Sequence, residues 1–203
     1  MNILICSDSF KDSLASIEVS SIISDILLRK FPKAKICAES MADGGEGTLD
    51  ALQCGTRGKL VNHFAVDSLL RKTKADLIYY QNEKHAVIEL AQTCGLSMLK
   101  SSERNCSSTS TYGVGLQILE AMRYNVNSID LMIGGSATND LGIGMAAALS
   151  YKFYMGSKLV EYPTGKDMEI ITKIDFSSAL TNDIKFKVVT DVNNTLLGSA
   201  GAT

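Results

Sequence analysis

The first sixty residues alternate between short apolar runs and one long helical pattern. Asn2 to Cys6 is a continuous β-favouring run, and Ser16 to Phe31 carries Ile17, Ile22, Ile23, Ile26 and Leu27 at helical spacing. The pattern predicts strand, loop, helix, with Ser16 as the helix cap, Glu18 in its first turn and Pro32 reinforcing the stop. Lys35 to Glu39 reads as a second strand, followed by a glycine-rich loop and a short helix from about Thr48 to Leu52. This order opens an α/β sheet, a fold class in which ligands sit at the carboxyl ends of the strands.

From Lys59 the pattern changes to closely spaced runs, Lys59 to Val66, Lys74 to Tyr80 and His85 to Leu90, which predict a mixed or antiparallel sheet. A helix from about Tyr112 to Arg123 presents Leu116, Leu119 and Met122 on one face. A strand at Ser128 to Ile133 leads into another glycine-rich loop, a helix continues from Ala146 to Tyr151, and Lys185 to Val192 is a late strand. Leu159 to Asp175 has no assignable period. The change near Gly55 to Lys59 divides the chain into a first unit, residues 1–58, and a second, residues 59–203.

Composition limits the classes of partner. The chain has 203 residues, is 45% hydrophobic, and carries 20 basic against 22 acidic residues, so it can bury a core and has no field that recruits nucleic acid or an anionic membrane. Five cysteines, none in C-x-x-C, fit a reducing cytosol better than a disulfide frame or zinc knuckle. No apolar stretch reaches membrane-spanning length and the first residues lack a secretory pattern, so a cytoplasmic location is expected.

Four polar clusters follow strand-like runs. SDSFKDS, Ser7 to Ser13, offers Asp8, Ser9 and Lys11; Lys11 can neutralise a transferring phosphoryl group, while Asp8 and Ser9 can equally cap a turn. SMADGGEGT, Ser40 to Thr48, sets Gly44, Gly45 and Gly47 among Asp43 and Glu46. Glycine amides and a helix start favour an anion, but two carboxylates repel bare phosphate, so substrate hydroxyls or magnesium fit better. IGGSATNDLGIG, Ile133 to Gly144, combines Ser136, Thr138, Asn139 and Asp140 with four glycines between strand and helix, the densest ligand-loop pattern in the chain. TDVNNTLLG, Thr190 to Gly198, places Asp191, Asn193 and Asn194 after the last strand, where such residues also form plain turns.

Several chemistries lose their sequence support. No P-loop occurs, since Gly58-Lys59 precedes Leu60 and Gly165-Lys166 precedes Asp167. Protein-kinase and dinucleotide fingerprints are also missing, and His63 and His85 lie away from the clusters.

In order and spacing, the four clusters, with IELAQTCGL (Ile88 to Leu96) and STYGVG (Ser110 to Gly115), resemble the type I glycerate kinase family over essentially the whole chain. The resemblance implies ATP- and magnesium-dependent phosphorylation of D-glycerate, generally at the 2-hydroxyl. It also implies a two-domain α/β fold: a Rossmann- or flavodoxin-like first domain formed by both chain ends, and an inserted mixed-sheet second domain. By the same resemblance Asp8, Ser9, Lys11, Asp43, Gly44, Gly45, Glu46, Ser136, Thr138, Asn139, Asp140, Asp191 and Asn193 line the cleft. Within it, Lys11 is expected to stabilise phosphoryl charge, Asp191 to accept or position the hydroxyl proton, and Asp43 with Glu46 to hold magnesium or hydroxyls.

The chain departs from the family pattern at Ser7 and Thr195, where prolines are usual, and at Asp12 and Leu141, where glycines are. Type I chains also continue well past residue 203. The chain is therefore expected to be the amino-terminal part only, with apolar faces of its first unit left open. A non-enzymatic alternative is a fragment that at most binds a ligand or a complementing partner.

Overall fold

The computed structural model describes residues 1–10, 13–180, 183–190, 192–199 and 201. The chain opens with strand β1 (Asn2–Ser7), helix α1 (Ser16–Lys30) and strand β2 (Lys35–Ser40). β1 and β2 pair in parallel with Asn2 opposite Lys35 and Ser7 opposite Ser40, so both strands end side by side. Helix α1 forms over the predicted span. Only Val19 and Ser20 of it are buried, and Ile17, Ile22 and Ile26 face solvent. Ser16 does not cap α1. The residue preceding the helix is Ala15, whose amide bonds the Glu18 carboxylate at 2.8 Å. Ser16 Oγ instead donates to the Ser7 carbonyl (2.6 Å) and accepts the Met41 amide (3.1 Å), tying together the chain as it leaves β1 and β2.

Helix α2 (Thr48–Gly55) leads into β3 (Lys59–Val66), β4 (Lys72–Tyr80) and β5 (His85–Glu89), which run antiparallel in sequence. A single turn, α3 (Ala91–Cys94), and short 3-10 turns between 96 and 108 precede α4 (Tyr112–Met122). Strand β6 (Ser128–Met132) then joins β5 in parallel, and β10 (Lys185–Val189) joins β6 in parallel. The sheet order is β10-β6-β5-β4-β3, the mixed sheet that the short runs predict.

Period-two alternation gives this sheet two buried faces. Leu77, Ala86, Ile88, Ile129 and Leu131 pack under Val114 and Ile118 of α4. Ile78, Val87 and Met132 point the other way and pack against Leu49 of α2. Full burial of each such aliphatic is worth about 1.5–3 kcal/mol, and this is where the fold is held. Helix α2, which the sequence groups with the first unit, thus lies on the central sheet.

After β6 come α5 (Ile143–Ala148), β7 (Lys152–Met155), β8 (Lys158–Val160) and β9 (Lys173–Asp175), the last three forming a small antiparallel sheet. Its strands are three or four residues long and Phe153 is its buried anchor, too little periodicity for the sequence to reveal. Helix α5 starts three residues earlier than its apolar pattern because Gly142, at φ +75°, turns the chain into it.

Candidate functional site

Three of the four polar clusters meet at the carboxyl ends of β2, β6 and β10. The amide of Gly134, just past β6, donates to the carbonyl of Gly44 at 3.1 Å. The approach requires glycine: a Cβ on Gly134 would lie 2.6 Å from the Gly45 Cα and 2.9 Å from its nitrogen. The third cluster leaves β10 beside them, with the Ile133 amide on the Val189 carbonyl (3.2 Å). The remaining cluster, after β1, is joined to the Gly44 turn through Ser7 and Ser16, and Asp8 accepts the Ser9 amide within its own turn at 2.6 Å.

The Gly44 turn is shaped from inside. Asp43 Oδ1 accepts the Gly45 amide (2.9 Å) and Thr48 Oγ1 donates to the Gly45 carbonyl (2.7 Å). Beneath it lies Glu89, the last residue of β5, only 1% exposed. One carboxylate oxygen accepts the Gly47 amide (3.1 Å) and the other the Leu49 amide (3.0 Å). Burial pushes the Glu89 carboxyl above its ordinary range, and the two amides partly offset this. At the rim, Ser97 Oγ donates to Glu46 Oε1 at 3.0 Å.

The second glycine-rich loop is organised in the same way. Asp140 is 2% exposed; Oδ2 accepts the Thr111 amide and hydroxyl (both 2.8 Å) and the Gly144 amide (3.2 Å), and Oδ1 accepts the Gly142 amide (3.0 Å). The loop is also fastened to the β5–α4 connection, through the Ala137 amide on Cys94 O (2.7 Å) and the Leu96 amide on Gly135 O (2.9 Å). The helix starts that follow the two glycine-rich loops are therefore occupied by internal carboxylates, Glu89 at α2 and Asp140 at α5.

The residues that remain toward the surface are hydroxyls, amides and carboxylates. Ser136 Oγ accepts the Thr138 amide (3.0 Å) and pairs with Thr138 Oγ1 (2.8 Å), and Asn139 is partly buried beside them. Asp43 is partly buried and Glu46 exposed. Asn193 is exposed on the loop after β10. Lys11 and Asp191 lie outside the described residues. Among the described residues no three His, Cys, Asp or Glu side chains converge as a closed metal cage. Magnesium characteristically needs only one or two protein carboxylates when phosphate supplies other oxygens; here one oxygen of Asp43 accepts the Gly45 amide and one of Glu46 accepts the Ser97 hydroxyl.

Glu89, Ser97 and Thr111 belong to this architecture and are absent from the residues that the clusters single out. Glu89 falls within the IELAQTCGL segment and closes the apolar run Ala86-Val87-Ile88, a position where burial demands partners.

A sequence model described as "Glycerate kinase family" matches residues 3–203. The chain belongs to the glycerate kinase family. It is 38% identical over its whole length to a glycerate kinase of Bacillus cereus and 34% identical to the glycerate 2-kinase of Escherichia coli K12, covering 54% of each. A crystal structure of a candidate glycerate kinase 2 from Salmonella typhimurium LT2 superposes with a TM-score of 0.78 at 32% identity, over all of this chain and 55% of that one. The chain thus spans about half the length of the family members it matches. Its mixed α/β architecture is that of the family, and among the described residues no helix is long and apolar enough to cross a membrane.

Proposed function

We propose that this chain carries the glycerate-binding loops of a kinase that transfers the γ-phosphoryl group of ATP to the 2-hydroxyl of D-glycerate. The observation that supports this reading is the meeting of the Asp43–Glu46 turn and the Ser136–Asp140 loop at the Gly44–Gly134 contact. With both helix starts filled by carboxylates, what these loops offer a ligand is hydroxyl, amide and carboxylate oxygen, a set suited to a polyhydroxy acid. The name of the Escherichia coli relative supports the 2-hydroxyl.

In this reading Ser136, Thr138, Asn139 and Asn193 hold and orient glycerate, with Asp8 and Ser9 at the neighbouring strand end. Asp191 accepts the hydroxyl proton as the new O–P bond forms and the bond to the departing ADP oxygen breaks, and Lys11 balances phosphoryl charge. Bound magnesium supplies further charge neutralisation, with Asp43 and Glu46 as its holders.

A second reading is favoured by the half-length match: the 203 residues bind glycerate and leave phosphoryl transfer to a complementing segment. Coupled detection of ADP from purified chain, ATP, magnesium and D-glycerate, beside calorimetric titration with glycerate, separates the two. Glycerate-dependent ADP release is expected for the first, and binding without release for the second. Folded protein that does neither sinks both. A Lys11→Ala chain with undiminished turnover would remove Lys11 from its role.

A further inference from the structure

The elements before the Gly44 turn, β1, α1 and β2, bury few side chains, Ile5, Val19 and Ser20, so they give it little apolar support. Its firm attachment comes from below. Glu89 sits at the end of the central strand β5, opposite Met132 of β6, and α2 places Leu49 in the apolar cluster directly over that sheet. The Glu89 carboxylate reaches the Gly47 and Leu49 amides, on either side of Thr48. Its own carbonyl accepts the buried Gln117 amide from α4 (3.3 Å), which also bonds Thr93 Oγ1 (2.9 Å). A continuous set of hydrogen bonds therefore runs from α4, on one face of the sheet, to the turn on the other.

We propose that Glu89 is a positioning residue of the site: its carboxylate fixes the turn carrying Asp43 and Glu46 against Gly134. This inference rests on the glycerate-binding reading above. Glu89 does not touch the ligand; it acts through the turn. By filling the amides of Gly47 and Leu49 it also removes them as anion donors, so the turn addresses its ligand through side-chain oxygens. A glutamine keeps one acceptor but turns an NH2 group toward the other amide. Alanine keeps neither acceptor.

The test compares the wild-type chain with E89Q and E89A by amide hydrogen exchange and by titration with D-glycerate. Glu89→Ala is expected to speed exchange at Gly47 and Leu49 and to weaken glycerate binding about tenfold or more, with E89Q between it and wild type and protection in β4 and β6 retained. Should E89A fail to fold, the same graded comparison is made between E89Q and wild type. Loss of protection throughout the sheet in E89Q overturns positioning in favour of a purely structural role. Wild-type glycerate affinity in a variant whose turn exchanges freely also overturns it. A wild-type chain that binds no D-glycerate defeats the underlying reading, and the exchange pattern then decides separately whether Glu89 holds the turn.

Discussion

The Gly134 amide meets the Gly44 carbonyl at 3.1 Å, and this backbone contact joins two loops ninety residues apart without any side chain between them. Substituting Gly134→Ala places a methyl group 2.6 Å from the Gly45 Cα and 3.0 Å from the Gly44 oxygen, all backbone that cannot rotate away. The loops must separate. A loss of about 1–3 kcal/mol in urea unfolding is expected, accompanied by weaker glycerate binding. Wild-type values for both would mean that the contact does not hold the site together.

The central sheet was legible because Val87 and Ile88, or Leu77 and Ile78, stand in short apolar runs between polar turns, and burial on both faces makes such runs continuous. The clusters were legible too, since glycine and small polar residues concentrate where strands β2 and β6 end. Which of their carboxylates serve the fold was not. Asp43 and Asp140 look alike in sequence, yet Asp140 is buried under Thr111, a partner 29 residues away that no local pattern announces. The role of Glu89 was hidden for the converse reason: an acid closing an apolar run reads as a surface residue unless the helix it caps is known. The isoleucines of α1 show a third limit, because helical spacing reveals an apolar face without revealing what covers it.

Replacing Asp140 tests that division of labour. Asp140→Asn turns an NH2 group toward amides that now meet carboxylate oxygen, and four donors lose a charged acceptor. A cost of about 2–3 kcal/mol in chemical unfolding is expected. Ser136→Ala, at an exposed hydroxyl, is expected to change stability by about 0.5 kcal/mol or less while still lowering glycerate affinity. Equal stability of D140N and wild type, with glycerate binding lost, would instead place Asp140 on the ligand.

The cysteines divide by burial. Cys6, Cys37, Cys54 and Cys106 are exposed, whereas Cys94 is fully buried and its thiol is pushed up to about 12, mainly by desolvation. Cys37 is also raised, chiefly by its hydrogen bond to the Glu39 carboxylate. A disulfide reagent near neutral pH is expected to titrate four thiols in the folded chain, with Cys37 slowed by its raised pKa, and the fifth only on unfolding. Rapid modification of all five would show that the α3 region opens on its own.

Acid should act on this fold in two opposite ways, through Glu89 and His63. Glu89 has a raised pKa when folded, so its ionised form counts against the fold at neutral pH, and the cost is relieved as pH falls through that raised value. His63 is the reverse. It stands on β3 near Asp76 and Glu120, which favour its charged form, but burial dominates and lowers it below its ordinary 6.5. Among the described residues its ring nitrogens find no hydrogen-bond partner of good geometry, with only weak support from the Val61 backbone. Stability contributed by neutral His63 is therefore complete above that ordinary value and lost as pH falls through the lowered one. Melting the chain from about pH 8 to about pH 4, below the ordinary carboxyl value, should show a shallower acid loss for His63→Leu than for wild type, and a steeper one for Glu89→Gln. Three parallel curves would mean that neither group changes its proton affinity on folding.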